Sequence, residues 1–211
     1  CDLLIERDYG LNIWAYARVD TVKPEMLDKL RRAGILWLGL GIESGSEHVR
    51  DGAEKAFNED DITNVVREIQ KAGIYVIGNF IFGLPDDDLD TMRQTLDLAV
   101  ELNCEFVNFY SAMAYPGSPL YVSALEQGLP LPERWSGFSQ HSYDCHPLPT
   151  EHLTAAEVLK FRDDAFHTYF SNARYLDMVT QAFGWDTRKH IEGMARHRLK
   201  RKIFDELDAA E

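Results

Sequence analysis

Four times in the first half of the chain, a run of branched and aromatic residues gives way to a helix-like stretch. This alternation limits the fold more than any other feature. The runs are NIWAYARV (12–19), ILWLGLGI (35–42), IYVIGNFIF (74–82) and EFVNFYSA (105–112). Between them lie KPEMLDKLRRAG (23–34), NEDDITNVVREIQKAG (58–73) and LDTMRQTLDLAVELN (89–103). Pro24 suits a first helical turn and Gly34 a helix end. Acidic residues at 59–61 favour the N-terminal end of a helix dipole. Strands alternating with helices about every 30 residues form βα units, and βα units build a parallel sheet.

Side chains on a strand point alternately to its two faces. One parity collects Ile13, Ala15, Ala17 and Val19, then Leu36, Leu38, Leu40 and Ile42, then Val76, Gly78, Phe80 and Phe82, then Val107 and Phe109. It is oily and belongs against helices. The other collects Asn12, Trp14, Tyr16 and Arg18, then Trp37, Gly39, Gly41 and Glu43, then Ile77, Asn79 and Ile81, then Asn108 and Tyr110. A parallel sheet with helices on both faces is oily on both parities. A wet parity fits a sheet curved around a polar ligand, with its working groups at the carboxyl ends of the strands. Burying Arg18, Glu43, Asn79 and Asn108 without partners would cost about 1–3 kcal/mol each, and more for the charges. They are therefore expected to meet one another, water or a ligand. The expected fold class is α/β: a partial (β/α) TIM-type barrel of about four parallel strands with helices, followed by a C-terminal helical extension. Residues 1–127 form the barrel part, and 128–211 a Pro- and aromatic-rich loop with helices.

In that extension, Thr150 is expected to cap a helix with Glu151 in its first turn. Further helices are expected over 175–183 and 186–207. The basic run RHRLKRK (196–202) reads as a solvated helix face. The net charge of −13 disfavours nucleic acid as a partner. Three widely spaced cysteines, Cys1, Cys104 and Cys145, fit a reducing compartment, so a cytoplasmic location is expected. No apolar run is long enough to span a bilayer. His141, Cys145 and His146 lie in a loop without a recognised metal-ligand spacing, and no metal site is expected there. A half-barrel leaves a bare edge near residues 12–19, where self-association or coverage by the N-terminal segment is expected.

WAYARVDTVKPEMLDKLRRAG, LGLGIESGSE, NFIFGLPDDD and NFYSAMAYPGSPLY occur in order with matching spacing. Together they resemble the later strands of the radical S-adenosylmethionine (SAM) barrel. The nearest likeness is to the cobalamin-domain-containing group of iron–sulfur oxidoreductases, and it covers roughly residues 1–125. The family's C-x-x-x-C-x-x-C run is missing, as is its acidic, glycine-containing segment after the second strand. The resemblance therefore implies the C-terminal part of a radical SAM enzyme. Such a part would bind SAM, with a 4Fe–4S cluster held by residues outside this chain and cobalamin in a further N-terminal domain. Alone it would be inactive.

By the same resemblance, Glu43 and Ser44 lie near the ribose or methionine of SAM. NFIFGLPD matches the family's G-x-I-x-G-x-x-E: Ile81 packs on adenine and Gly83 lets the backbone approach. Asn79 stands for Gly and Asp86 for Glu. Arg18 pairs with the SAM carboxylate, and Tyr110 and Ser111 lie near adenine or substrate. Plainer roles stand beside these: Glu43 pairing with Arg18, Ser44 and Ser46 as caps, Tyr110 as a core aromatic. Two other functions stay open. One is a non-radical (β/α) barrel lyase or aldolase using Glu43 as acid–base and the amides of SGS (44–46) for a phosphate. The other is a non-catalytic interaction module.

Overall fold

The computed structural model describes residues 1–46, 48, 49 and 59–208. After helix α1 (Asp2–Arg7) come β1 (Ile13–Arg18), α2 (Pro24–Arg32), β2 (Ile35–Glu43), α3 (Glu59–Lys71), β3 (Tyr75–Phe82), α4 (Leu89–Leu102) and β4 (Phe106–Ser111). The strands form one sheet in the order β1-β2-β3-β4, and β1–β2 and β2–β3 pair in parallel. A sheet laid down in sequence order with a helix between successive strands is the expected arc of a (β/α) barrel. Then follow α5 (Pro119–Glu126), a 3₁₀ turn (Trp135–Phe138), α6 (Ala155–Phe170), α7 (Ala173–Phe183), α8 (Trp185–Ala195) and α9 (Lys202–Asp208). The chain divides into two compact units. One is Cys1–Phe80 with Thr95–Asn108; the other is Ile81–Gln94 with Phe109–Glu211.

In the first unit the oily parity is buried as the alternation requires. Leu38, Leu40 and Ile42 of β2, Val76 and Phe80 of β3, and Val107 of β4 are buried, as are Ile62, Val66 and Ile69 of α3. Each such side chain contributes about 1.5–3 kcal/mol by leaving water. In β1 the alternation is strict: Ile13, Ala15 and Ala17 are half-buried, while Trp14, Tyr16 and Arg18 are exposed.

The second unit is built on rings. Phe82 lies 5.4 Å from Phe109 and 5.1 Å from Phe161, Phe109 lies 5.8 Å from Tyr169, and Tyr169 lies 4.8 Å from Tyr175. Here the structure corrects three expectations. Thr150 does not cap the helix. Its hydroxyl accepts from the N–H groups of His152 and Leu153 in a turn, and Thr154 is the cap. Thr154 and Glu157 form a reciprocal capping box, which satisfies two otherwise orphaned N–H groups. Residues 186–207 are not one helix: α8 stops at Ala195 and α9 begins at Lys202. The run 196–202 is accordingly no helix face, and its Arg201 is 1% exposed.

Arg201 is buried because it is paired. Its Nε and Nη2 donate to the two oxygens of Asp163 at 2.8 Å each. Nη1 donates to the Ser142 carbonyl at 2.8 Å and Nη2 to the Gln140 carbonyl at 2.9 Å. Asp163 also pairs with Arg162 at 2.9 Å. A planar guanidinium can answer a carboxylate and two carbonyls at once, which an ammonium cannot do with the same geometry.

Candidate functional site on the polar face of the sheet

The polar face in the first unit begins with rings. Trp14 and Tyr16 of β1 lie with centroids 5.2 Å apart. Gly39 of β2 makes room for them: a Cβ there would sit 2.9 Å from Trp14 Nε1 and 3.1 Å from Tyr16 Cδ1. The small residue of that parity thus admits the large ones of the neighbouring strand. At the end of β1, Arg18 forms a two-pronged pair with Asp20, Nε to Oδ1 at 3.0 Å and Nη2 to Oδ2 at 2.9 Å. Each partner stabilises the charged form of the other, so the Asp20 carboxyl falls below its ordinary range and the Arg18 guanidinium rises. This pair occupies the guanidinium that the family resemblance assigns to the SAM carboxylate.

β2 ends in a distortion. Gly41 pairs with Asn79, but Glu43, two residues on, pairs with Phe80, one residue on, so the register shifts there. Glu43 takes up the shift with φ of 70°, in the left-handed region that residues carrying a Cβ avoid. The next residues turn inward. Ser44 Oγ and Thr95 Oγ1 of α4 lie 3.1 Å apart, Gly45 N–H donates to Thr95 Oγ1 at 2.8 Å, and Ser46 N–H donates to Ser44 Oγ at 3.1 Å. With Ser44 N–H donating to the Ile42 carbonyl at 3.1 Å, all three amides that a phosphate-binding lyase would use at 44–46 are committed within the protein.

Across β2, β3 and β4 runs a polar relay. Asn79 Nδ2 donates to the Leu40 carbonyl at 3.0 Å, and Asn108 Nδ2 donates to Asn79 Oδ1 at 2.9 Å. Asn79 is buried and Asn108 half-buried. Sequence parity puts both residues on this face but does not reveal the bond between them. Thr95 goes unnoticed in the sequence, and its only signal is a hydroxyl on a helix that is otherwise apolar on that side.

The remaining candidates belong to the second unit. Ile81 and Tyr110 are half-buried. Gly83 has φ of +80°, and a Cβ there would collide with the methyl groups of Val158 on α6. Its close approach is thus to a protein side chain. The turn after β3 is organised by Asp87 rather than Asp86. Asp87 Oδ2 accepts from Gly83 N–H at 2.9 Å and Leu84 N–H at 3.0 Å, and Oδ1 accepts from Thr91 Oγ1 at 2.7 Å. Burial raises the Asp87 pKa against those bonds, which lower it. At the end of β4, Gln140 accepts from Ser111 N–H through Oε1 and donates to the Ser111 carbonyl through Nε2, both at 2.9 Å. Arg162 Nε donates to the Phe109 carbonyl at 2.8 Å. The Ser111 hydroxyl is buried and has no hydrogen-bond partner among the described residues.

Among the described residues no group of three or more His, Cys, Asp or Glu side chains is placed to hold a metal ion. Cys104 and Cys145 are buried. Burial pushes the Cys104 thiol far up and that of Cys145 up to about 11, so neither offers a thiolate. These side chains do not fit an iron–sulfur cluster. The polar face itself presents the amides of Asn79 and Asn108 and the rings of Trp14 and Tyr16.

Residues 5–99 match the radical SAM superfamily. An uncharacterized methyltransferase of Pyrococcus horikoshii is 24% identical over 190 residues, which is 89% of this chain and 41% of the relative. The anaerobic magnesium-protoporphyrin IX monomethyl ester cyclase of Rubrivivax gelatinosus is 23% identical over 97% of this chain and 37% of its own. The chain thus spans about two fifths of these relatives. Among solved structures, the cobalamin- and [4Fe-4S]-bound radical SAM methyltransferase TsrM from Kitasatospora setae superposes with a TM-score of 0.53 at 19% identity, over 63% of this chain and 28% of that one. That likeness is one of fold. Among the described residues no helix is long and apolar enough to cross a membrane.

Proposed function

We propose, from the premise that residues 5–99 belong to the radical SAM superfamily, that this chain supplies the later strands of a radical SAM barrel and binds S-adenosylmethionine on its polar face. The observation that carries the reading is the match over a parallel sheet with one oily and one wet parity. Radical SAM enzymes use SAM with a 4Fe–4S cluster, and the cofactor supplies the radical chemistry. The work left to this chain is binding, orientation and exclusion of water. The relay through Asn79 and Asn108 offers hydrogen bonds to the nucleoside. Glu43 and Ser44 mark the strand end where a polar group meets ribose or methionine. In the second unit, the family pattern assigns Ile81 to adenine and Tyr110 to adenine or substrate.

The 211-residue chain alone is read as inactive, because its described residues hold no fitting set of cluster ligands. Cobalamin, if used, would be bound elsewhere in the whole protein. The exposed rings of Trp14 and Tyr16 suit a flat aromatic substrate, in keeping with the relative that acts on a magnesium porphyrin. The test is anaerobic reconstitution of the full-length protein and of this chain with iron and sulfide, followed by assay of SAM cleavage. The full-length protein should bind a cluster and release 5′-deoxyadenosine, and the chain should do neither. A full-length protein without cluster or cleavage overturns the reading.

A further inference from the structure

The relay has a direction. The Leu40 carbonyl can only accept, so the side of the Asn79 amide facing it must be the NH2 group. The Asn79 oxygen then faces Asn108 and can only accept, which forces the Asn108 NH2 group toward it. Neither amide can flip without setting two donors or two acceptors against each other. The backbone of β2 thus fixes, through two side chains, the orientation of an amide on β4. What remains is the Asn108 carbonyl oxygen, which has no hydrogen-bond partner among the described residues and is not sealed from solvent.

We infer that Asn108 is a ligand-binding residue whose Oδ1 accepts a hydrogen bond from a donor group of the bound nucleoside, a ribose hydroxyl or the adenine amine, and that Asn79 is its positioning residue. This rests on the reading that the polar face binds SAM. It gives Asn79 a role different from direct contact: its oxygen and one N–H are spent within the protein, and it acts through Asn108. A freely rotating asparagine would serve a donor or an acceptor on the ligand equally. A locked one discriminates, because a ligand acceptor placed against Oδ1 leaves two oxygens facing each other.

The experiment uses the isotopically labelled chain and four probes: adenosine, 2′-deoxyadenosine, 3′-deoxyadenosine and purine riboside, which lacks the amine. Binding is followed by nuclear magnetic resonance on the side-chain amide signals, with the Asn108 amide assigned in the wild-type chain by through-bond correlation to its own backbone. Adenosine should shift the Asn108 signal saturably. One of the three donor-deleted probes should bind the wild-type chain about tenfold more weakly, a loss of about 1.4 kcal/mol. N108L should lose a similar factor for adenosine and no longer distinguish that probe. N79L should bind adenosine more weakly and show reduced discrimination.

If adenosine binds but leaves the Asn108 signal unmoved, or N108L binds all four as the wild type does, the inference is wrong and the cofactor reading stands. If the wild-type chain binds none of the four, both fall. The shift of the wild-type signal serves as the deciding measurement should N108L not fold.

Discussion

Glu43 sits at φ of 70° where β2 loses register with β3. A conformation of this kind costs about 1–3 kcal/mol in a residue with a Cβ, and surrounding structure has to hold it. Glu43→Gly removes that cost and adds the greater freedom of an unfolded glycine, about 0.5–1 kcal/mol. Stability to urea should then stay level or rise by up to ~2 kcal/mol, while affinity for SAM falls. A loss of stability larger than ~1 kcal/mol would show that the Glu43 side chain is structural. Asp87 presents the opposite case, a side chain that holds its backbone. Its two oxygens receive three donors, and Asp87→Asn leaves one oxygen to do this, so it should cost about 1–3 kcal/mol. The pH dependence follows from the raised pKa. A folded pKa above the unfolded one means that the native state holds the proton more tightly. Asp87 therefore contributes most below its unfolded pKa, and that contribution is lost as pH rises through the folded value. The gap between wild type and D87N should be wider at mildly acid than at neutral pH, as measured by urea unfolding across that range. A gap independent of pH would contradict the cause given for the shift.

At the scale of elements, strands and their faces are legible because side-chain alternation is a local property that each segment carries for itself. β2 and β3 lie within a residue of where the run of apolar residues puts them. The helix caps are less legible, since threonine followed by an acidic residue occurs at both 150–151 and 154–157. Only the second has the three-residue spacing that lets a carboxylate reach back to the cap. The polar relay is half legible: parity gives the face of Asn79 and Asn108, but their contact depends on the register between strands 29 residues apart. Gln140 could not be found from sequence. It lies in a loop without periodicity, and its use depends on reaching an edge strand. There its amide pairs with both backbone groups of Ser111, as a neighbouring strand would. Gln140→Ala should leave a buried N–H and carbonyl unanswered and cost about 1–3 kcal/mol. It should also raise light scattering at high protein concentration, as expected of an uncovered edge. A variant with unchanged stability and scattering would show that water replaces the glutamine.

At the scale of the whole molecule, a chain of net charge −13 buries two arginines, Arg162 and Arg201, around Asp163. Local composition suggested the opposite for 196–202, because a run of cations looks solvated until its distant carboxylate is known. Arg201→Met keeps much of the side-chain volume but removes four donated bonds, and it leaves Asp163 to Arg162 alone. About 3–5 kcal/mol should be lost, visible as a lower urea midpoint. A loss below ~1 kcal/mol would mean that the segment from 196 onward is not fastened by this pair. The arginine next to it in this knot, Arg162, also reaches the Phe109 carbonyl, as Gln140 reaches Ser111. Residues 109 and 111 share a parity, so these are successive outward-facing groups at one end of β4. An incoming strand would find those positions already answered, and addition beside β4 there would first have to displace two buried side chains. β1 has no comparable seal among the contacts described, so an added strand would meet less obstruction at the β1 flank than at the β4 end.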